Sequence, residues 1–379
     1  MRRYLKGLLI ASAAVLLSAA SALAEARSVV FINPGKRGEV FWELVAQTMK
    51  TAADQLDLKL EVLWSERNKL TMRDLGLSVV ARPEKPDFLV LVNEENAAPP
   101  ILAAAEQAGV ATIFISSPLS PEELARVERD HGPTEHLLGA LEPDMKAAGW
   151  RMAERLVAAA EAAGLRDADG ALHLLALAGD EITIVSTQRT QGMLDYVATR
   201  PDVTVDRLLY ANWNRAEAET LASRYLGFMR ARGIKPAGVW AANDPIAMGA
   251  IDALKKSGLK PGEDVFVVGL NWSAEALDLI EKNELLLSDG GHFLAGGWVM
   301  VMLRDLVDGC GFLSPESPRL ERFETSALDK ATEPELLKIL RGGALERIDF
   351  TKFLTAQTDC GAYDLSREAL IGAIRRSGR

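Results

Sequence analysis

Four side chains in the stretch AGVWAANDPIAMGAIDALKKSGLKPGEDVFVVGLNWSAEALDLI, Ala237 to Ile280, have types and spacing suited to recognising hydroxyl groups. Asn243 and Asp244 follow the apolar run Ala237 to Ala242, and Asn271 and Trp272 follow the apolar run Val265 to Leu270. An amide or a carboxylate so placed exchanges hydrogen bonds with hydroxyls, and an indole offers an apolar platform. Between the two runs, Pro245 suits a first helical turn, Ile246, Ala250, Ile251 and Leu254 recur at helical spacing, and Lys256 to Gly262 reads as a turn. The stretch is therefore a parallel βαβ unit. Ligands of open α/β sheets bind beyond the carboxyl ends of the strands, so these four residues are expected at the mouth of a site. Asn243 and Asp244 are equally suited to cap the helix, and one of the pair can do each.

The rest of the chain supplies the sheets that such a mouth requires. Strands are predicted at Ser28 to Ile32, Leu58 to Trp64, Asp87 to Asn93 and Ala111 to Ser116, with helices at Val40 to Leu56, Leu70 to Ala81 and Pro100 to Gln107. Ser117 to Pro143 breaks this rhythm with four prolines, His131 and His136, and reads as an excursion followed by a crossover. A second series runs from a helix at Asp144 to Ala163 through strands at Ala171 to Ala178 and Val203 to Ala211 to the βαβ unit itself. Short strands follow at Leu285 to Ser288 and Leu320 to Thr325, then a helix at Pro334 to Leu340 and a tail ending in a basic helix, read as a solvated cap. Two alternating series predict an α/β protein of two doubly wound parallel-sheet lobes.

The first residues read as a processing signal: Arg2, Arg3 and Lys6, an apolar segment from Leu8 to Ala20, and the small residues Ala22 and Ala24, with cleavage expected before Glu25. That segment is shorter than the roughly 20 residues needed to span a bilayer. Without those three basic residues the chain carries 40 Lys+Arg against 53 Asp+Glu, a surface unsuited to nucleic acid. An exported chain with two cysteines, Cys310 and Cys360, favours a disulfide, the alternative being two unconnected thiols. A bridge would close a loop of about 50 residues, worth about 4 kcal/mol by chain entropy. Catalytic readings find little support. Pro34-Gly35-Lys36 lacks the leading glycine of a phosphate loop, no nucleophile elbow occurs, and Glu94-Glu95 reads as a solvated strand end. His131 and His136 do not share a helical face and have no third ligand nearby, so neither a metal nor a cofactor is expected.

The strings VWAANDPIAMGAIDAL and VFVVGLNWSAEALDLI, with VVFINPGKRGEVFWELVAQTMKTAADQL and KPDFLVLVNEENAAPPILAAAEQAGVATIFIS, resemble the type I periplasmic binding proteins of the ribose-binding kind. The Asn-Pro-Gly opening with Phe41-Trp42, and FETSALDKATEPELLKIL, most resemble the autoinducer-2 receptor branch. The resemblance covers roughly residues 28 to 340. It implies two lobes joined by a three-crossing hinge near Pro133 to Glu142, Ser288 to Gly291 and Ser314 to Leu320. Lobe one would hold residues 27–135 and 290–318, lobe two 136–289 and 319–345, with 346–379 as the tail. It also implies a monomeric periplasmic receptor for a sugar or sugar-like polyol, serving either an inner-membrane ABC permease or the ectodomain of a sensor kinase.

The same resemblance assigns site roles. Trp42 matches an aromatic platform for a sugar face, with core packing as the alternative. Arg189, in STQRTQGM, matches an arginine that forks onto ligand oxygens. Trp213, in YANWNRAE, could stack from the other lobe or pack at the hinge, and Trp272 could add a platform or cover its strand end. Asn271 stands where sugar binders carry a carboxylate, and Ser116 with Ser117 where ribose-type proteins show Asp-Arg. Arg37 and Glu39 replace uncharged polar groups, and Asp289, with His292 nearby, would provide the polar contact at the crossing. These departures leave the fold expectation intact and the ligand open.

Overall fold

The structure is a computed structural model that describes residues 26–168, 170–311 and 320–374. The expected processing signal, residues 1–24, lies outside the described residues. The first series builds β1 (Arg27–Asn33), α1 (Val40–Gln55), β2 (Leu58–Trp64), α2 (Lys69–Val80), β3 (Phe88–Leu91), α3 (Pro99–Ala108), β4 (Ala111–Ile115), α4 (Pro121–His131) and β5 (Leu137–Pro143). The second builds α5 (Met145–Ala162), β6 (Leu172–Ala178), α6 (Ile184–Ala198), β7 (Val203–Tyr210), α7 (Arg215–Arg232), β8 (Pro236–Ala241), α8 (Asp244–Lys256), β9 (Phe266–Leu270), α9 (Ala274–Glu281) and β10 (Leu287–Gly290). Then come α10 (Ala295–Val307), β11 (Leu320–Phe323), β12 (Ser326–Leu328), α11 (Pro334–Arg341) and α12 (Arg367–Ala373).

Two six-stranded sheets result, in the orders β11-β5-β4-β3-β1-β2 and β12-β10-β9-β8-β6-β7. Every pairing is parallel except that of β12 with β10. Sequence follows position within each sheet. The inner strands β3 and β6 are buried throughout and apolar but for His173, while the edge strands β2 and β7 are largely half-exposed or exposed. Helices start where a side chain can take the first free N–H groups. Ser120 and Glu123 form a capping box on α4, and Asn243 caps α8 through a 2.9 Å bond from the Ile246 N–H.

The first and third passages between the sheets lie later than expected, and the second falls at Gly290 as expected. Leu137–Pro143, expected in lobe two, pairs with β4 in the first sheet, and Leu320–Phe323, also expected in lobe two, pairs with β5 beside it. The chain therefore passes over after Pro143, after Gly290 and between Phe323 and Ser326. Proline-rich punctuation between Ser117 and Pro143 hid both α4, whose Pro121 occupies the tolerated first turn, and the strand behind it.

The tail also departs from the expected solvated cap. Ile348, Phe350, Leu370 and Ala373 are buried, and the Phe350 ring lies so close to Gly297 of α10 that a Cβ there would meet it at 2.1 Å. Gln55 of α1 donates to the Ile348 carbonyl at 2.9 Å and accepts from the Phe350 N–H at 2.8 Å. Asp305 of α10 accepts from the Thr355 N–H and hydroxyl, both at 2.9 Å, and Cys310 is bonded to Cys360. The tail is thus part of the first lobe's core. Phe350→Ala should lower the unfolding free energy by about 3–5 kcal/mol in urea titration, as for other buried aromatics. An unchanged main transition would show that the tail only decorates the surface.

Candidate functional site

The carboxyl ends of both sheets face one cleft, and the loops there are held in unusual backbone conformations. Ser116, Asn212, Trp213 and Trp272 have φ values of 64°, 47°, 59° and 56° respectively, and Asn271 reaches 149°. Non-glycine residues persist in that region only where surrounding packing imposes it, and such positions cluster at functional sites. Between the lobes lies a cavity, partly open to solvent, whose empty space including that opening is about 530 Å³. Its inner part is lined by Trp42, Ser116, Arg189 and His292, whereas Glu39, Phe41, Arg67, Glu94, Trp213, Asn243 and Asn271 also border the wider mouth.

Close approaches place the two largest side chains. Gly35 leaves the space that the Trp42 ring fills, a Cβ there lying 2.4 Å from it, and Gly179 does the same for Trp213 at 2.3 Å. The Trp213 indole N–H then donates to Asp180 at 2.7 Å, which fixes the ring's direction. Arg189 is set by helix packing: α5 and α6 touch so closely at Gly149 and Gly192 that a Cβ on either would meet backbone oxygen of the other helix at 1.9 Å.

Arg189 is 2% exposed. It donates to the Ala242 carbonyl and points another nitrogen at the Met145 Sδ, but no carboxylate pairs with it and its Nε–H has no partner. Burial brings its pKa down to about 10, against the opposing pull of Asp289 and Asp244. Trp42 Nε1, Ser116 Oγ and His292 Nδ1 are likewise buried without partners. The His292 ring stacks on Phe41 at 4.4 Å, and burial, aided by the Arg189 charge, holds its pKa well below 6.5, so it is neutral. Toward the mouth, Arg67 forks onto Glu39 and also pairs with Glu94. Burial nonetheless pushes the Glu94 carboxyl up from the usual range.

The structure brings Trp42, Glu39, Ser116, Arg189, Trp213, Asn243 and Asn271 to the cavity. Arg37 is exposed at the outer mouth, its guanidinium 5.6 Å from the Trp64 ring. Two expected contacts are turned away. Asp289, 0% exposed, accepts from Arg151 at 2.7 Å and from the Thr325 hydroxyl, tying β10 to α5 and to the residue just before β12. Asp244 accepts from the Ser273 N–H at 2.9 Å and hydroxyl at 2.8 Å, and from the Ser288 hydroxyl at 2.7 Å, joining the loop after β9 to β10. Of the Asn-Asp pair, it is Asn243 that caps, and it also lines the cavity. Trp272 covers its strand end, donating to the Ser326 carbonyl at 3.0 Å. Phe41, Arg67 and Glu94 escaped the sequence reading as lining residues, whereas His292, expected beside Asp289 at the crossing, does line the cavity. Arg67 and Glu94 follow β2 and β3, so the strand-end rule applied to every strand would have found them. Among the described residues no group of three His, Cys, Asp or Glu is placed to hold a metal ion.

Burial raises the Asp244 carboxyl from 3.8 to about 6 against its serine bonds. The folded chain thus holds this proton more firmly than the unfolded chain, and the stabilisation it brings is present below about pH 4 and lost as pH rises through about 6. The stability of the wild type relative to Asp244→Asn should therefore fall by about 2 kcal/mol between about pH 4 and pH 7 in urea titrations. A difference independent of pH would contradict this.

The chain matches a family model described as a periplasmic binding protein domain over residues 29–309. A periplasmic sugar-binding protein from Pseudomonas fluorescens shares 30% identity and superposes with a TM-score of 0.79, covering 91% of this chain and 99% of that one. The Caulobacter myo-inositol binding protein shares the fold at a TM-score of 0.66, with 19% identity over 83% and 97% of the two chains. The xylitol-binding protein of Mycolicibacterium smegmatis is 23% identical over 280 residues, 70% of this chain. The chain spans 66% of that relative's length. These relatives are binding proteins rather than enzymes, and the two parallel sheets with flanking helices are their architecture. The chain belongs to the periplasmic binding protein family, with the type I two-lobe α/β fold.

Proposed function

We propose that this chain is an exported receptor that encloses a small hydroxylated solute, a sugar or sugar-like polyol, between its lobes and delivers it to an ABC permease of the inner membrane. The observation that carries the proposal is the lining of the cavity. Both lobes contribute an indole, Trp42 and Trp213, and the buried polar atoms Trp42 Nε1, Ser116 Oγ, Arg189 Nε and His292 Nδ1 have no partner within the protein. Buried polar atoms are nearly always satisfied, so four left open in one cavity favour a ligand that completes them. Indole faces suit the C–H faces of a polyol, and the rings need no further binding partner to explain their placement. Hinge closure around the solute then excludes water from both sides of it.

Relatives named as binding sugars or polyols support this chemical class. The matching family supports export to the periplasm and a permease partner. Native mass spectrometry of the purified chain, followed by melting curves against pentoses, hexoses, polyols and their oxidised derivatives, tests the reading. A retained small molecule or a melting rise of several degrees is expected. Trp213→Ala should reduce that rise, through loss of a platform worth roughly 0.5–1.5 kcal/mol. Turnover of the solute, or no response to the panel or to a fractionated metabolite extract, would overturn the proposal.

A further inference from the structure

Arg189 lies at the inner end of the cavity with no carboxylate in contact, while the lining carboxylates Glu39 and Glu94 border the mouth. At the inner end stand two unpartnered groups that only donate, Arg189 Nε–H and Trp42 Nε1–H, beside the unpartnered Ser116 Oγ and His292 Nδ1, which can accept. Asn243 borders the mouth; its carbonyl oxygen accepts from the Ile246 N–H, and its NH₂ group can donate to a ligand. The carboxylates whose charges reach Arg189 are engaged elsewhere, Asp244 by Ser273 and Ser288, and Asp289 by Arg151 and Thr325. The lining carboxylates, Glu39 and Glu94, border the mouth and are held by Arg67.

A hydroxyl placed against Arg189 and Trp42 can donate to Ser116 Oγ or His292 Nδ1, but it leaves the buried guanidinium without a counter-charge. A carboxylate brings two oxygens and no proton, and a planar pair of oxygens matches a guanidinium edge. It also supplies the counter-charge that the protein does not place in contact with Arg189. Hydroxyls further along the same molecule would reach the Glu39 and Glu94 end, where acceptors are present. We infer that the solute is a hydroxylated carboxylate of the aldonate or uronate class, bound with its carboxylate against Arg189 and Trp42 and its hydroxyl chain toward the mouth. This rests on the receptor reading above and narrows its ligand.

Calorimetric titration of the full chain with D-gluconate, D-xylonate and D-galacturonate, each beside D-glucose, D-xylose and D-galactose, tests it. At least one acid should bind about tenfold or more tighter than its neutral parent, the increment expected of a charge-assisted contact. Arg189→Gln should erase that preference. Trp42→Phe, which keeps the ring and removes only the N–H, should reduce it with the fold intact by circular dichroism. Neutral parents that bind as tightly as the acids would overturn the inference and leave the receptor standing. Binding of a non-acidic solute from a metabolite extract, with no acid bound, would do the same. If nothing from the panel or the extract binds, the receptor reading falls and this inference with it.

Discussion

A guanidinium buried to 2% exposure without a carboxylate in contact is the constraint on which the cavity depends. Such a charge is costly unless the groups around it are arranged to receive it, and here they are arranged at some expense elsewhere. Helices α5 and α6 give up side chains at Gly149 and Gly192 to bring it in. The neighbouring His292 is kept neutral, and the nearest acids are bonded to serines, a threonine and a second arginine. The Trp213 ring lies 5.7 Å from the Arg189 guanidinium carbon, its own N–H tied to Asp180. What remains open on Arg189 faces the cavity, so its missing partner is a property of the site.

Asp244 and Asp289 show how the lobes are made fit to hold such a cavity. Both sit where a ligand contact would be sought, and both knit the passage strand β10 to the second lobe, Asp244 through Ser288 and Asp289 through Arg151 and Thr325. Glu142 on β5 ties the first passage to the third through Arg322 at 3.1 Å and to α6 through Gln188 at 2.9 Å. The polar network behind the cleft thus belongs to the passages, and the open polar atoms belong to the cavity.

Much of this was legible in the sequence, for reasons that can be named. Apolar runs alternating with helical stripes fix a parallel α/β sheet because each strand is buried on both faces, and the strand-end rule then points to Asn243 and Asn271. Arg189 and Trp42 required the family resemblance, because neither a helix arginine nor an indole near a strand declares its direction. Asp244 and Asp289 were misassigned because a carboxylate at a strand end looks the same whether it turns inward to Ser273 or Arg151 or outward to solvent. The first passage was displaced because prolines read as punctuation even at the first turn of α4. The tail's burial depended on Phe350 meeting Gly297, a contact between residues 53 apart that no local pattern encodes.

The most direct measurement is a crystal structure of the full chain with whichever solute raises its melting temperature most. The account predicts the solute enclosed between Trp42 and Trp213, with a ligand oxygen within hydrogen-bond distance of Arg189 Nε and contacts from both lobes. A solute held by one lobe alone, or a bound state in which Arg189 Nε still lacks a partner, would contradict it.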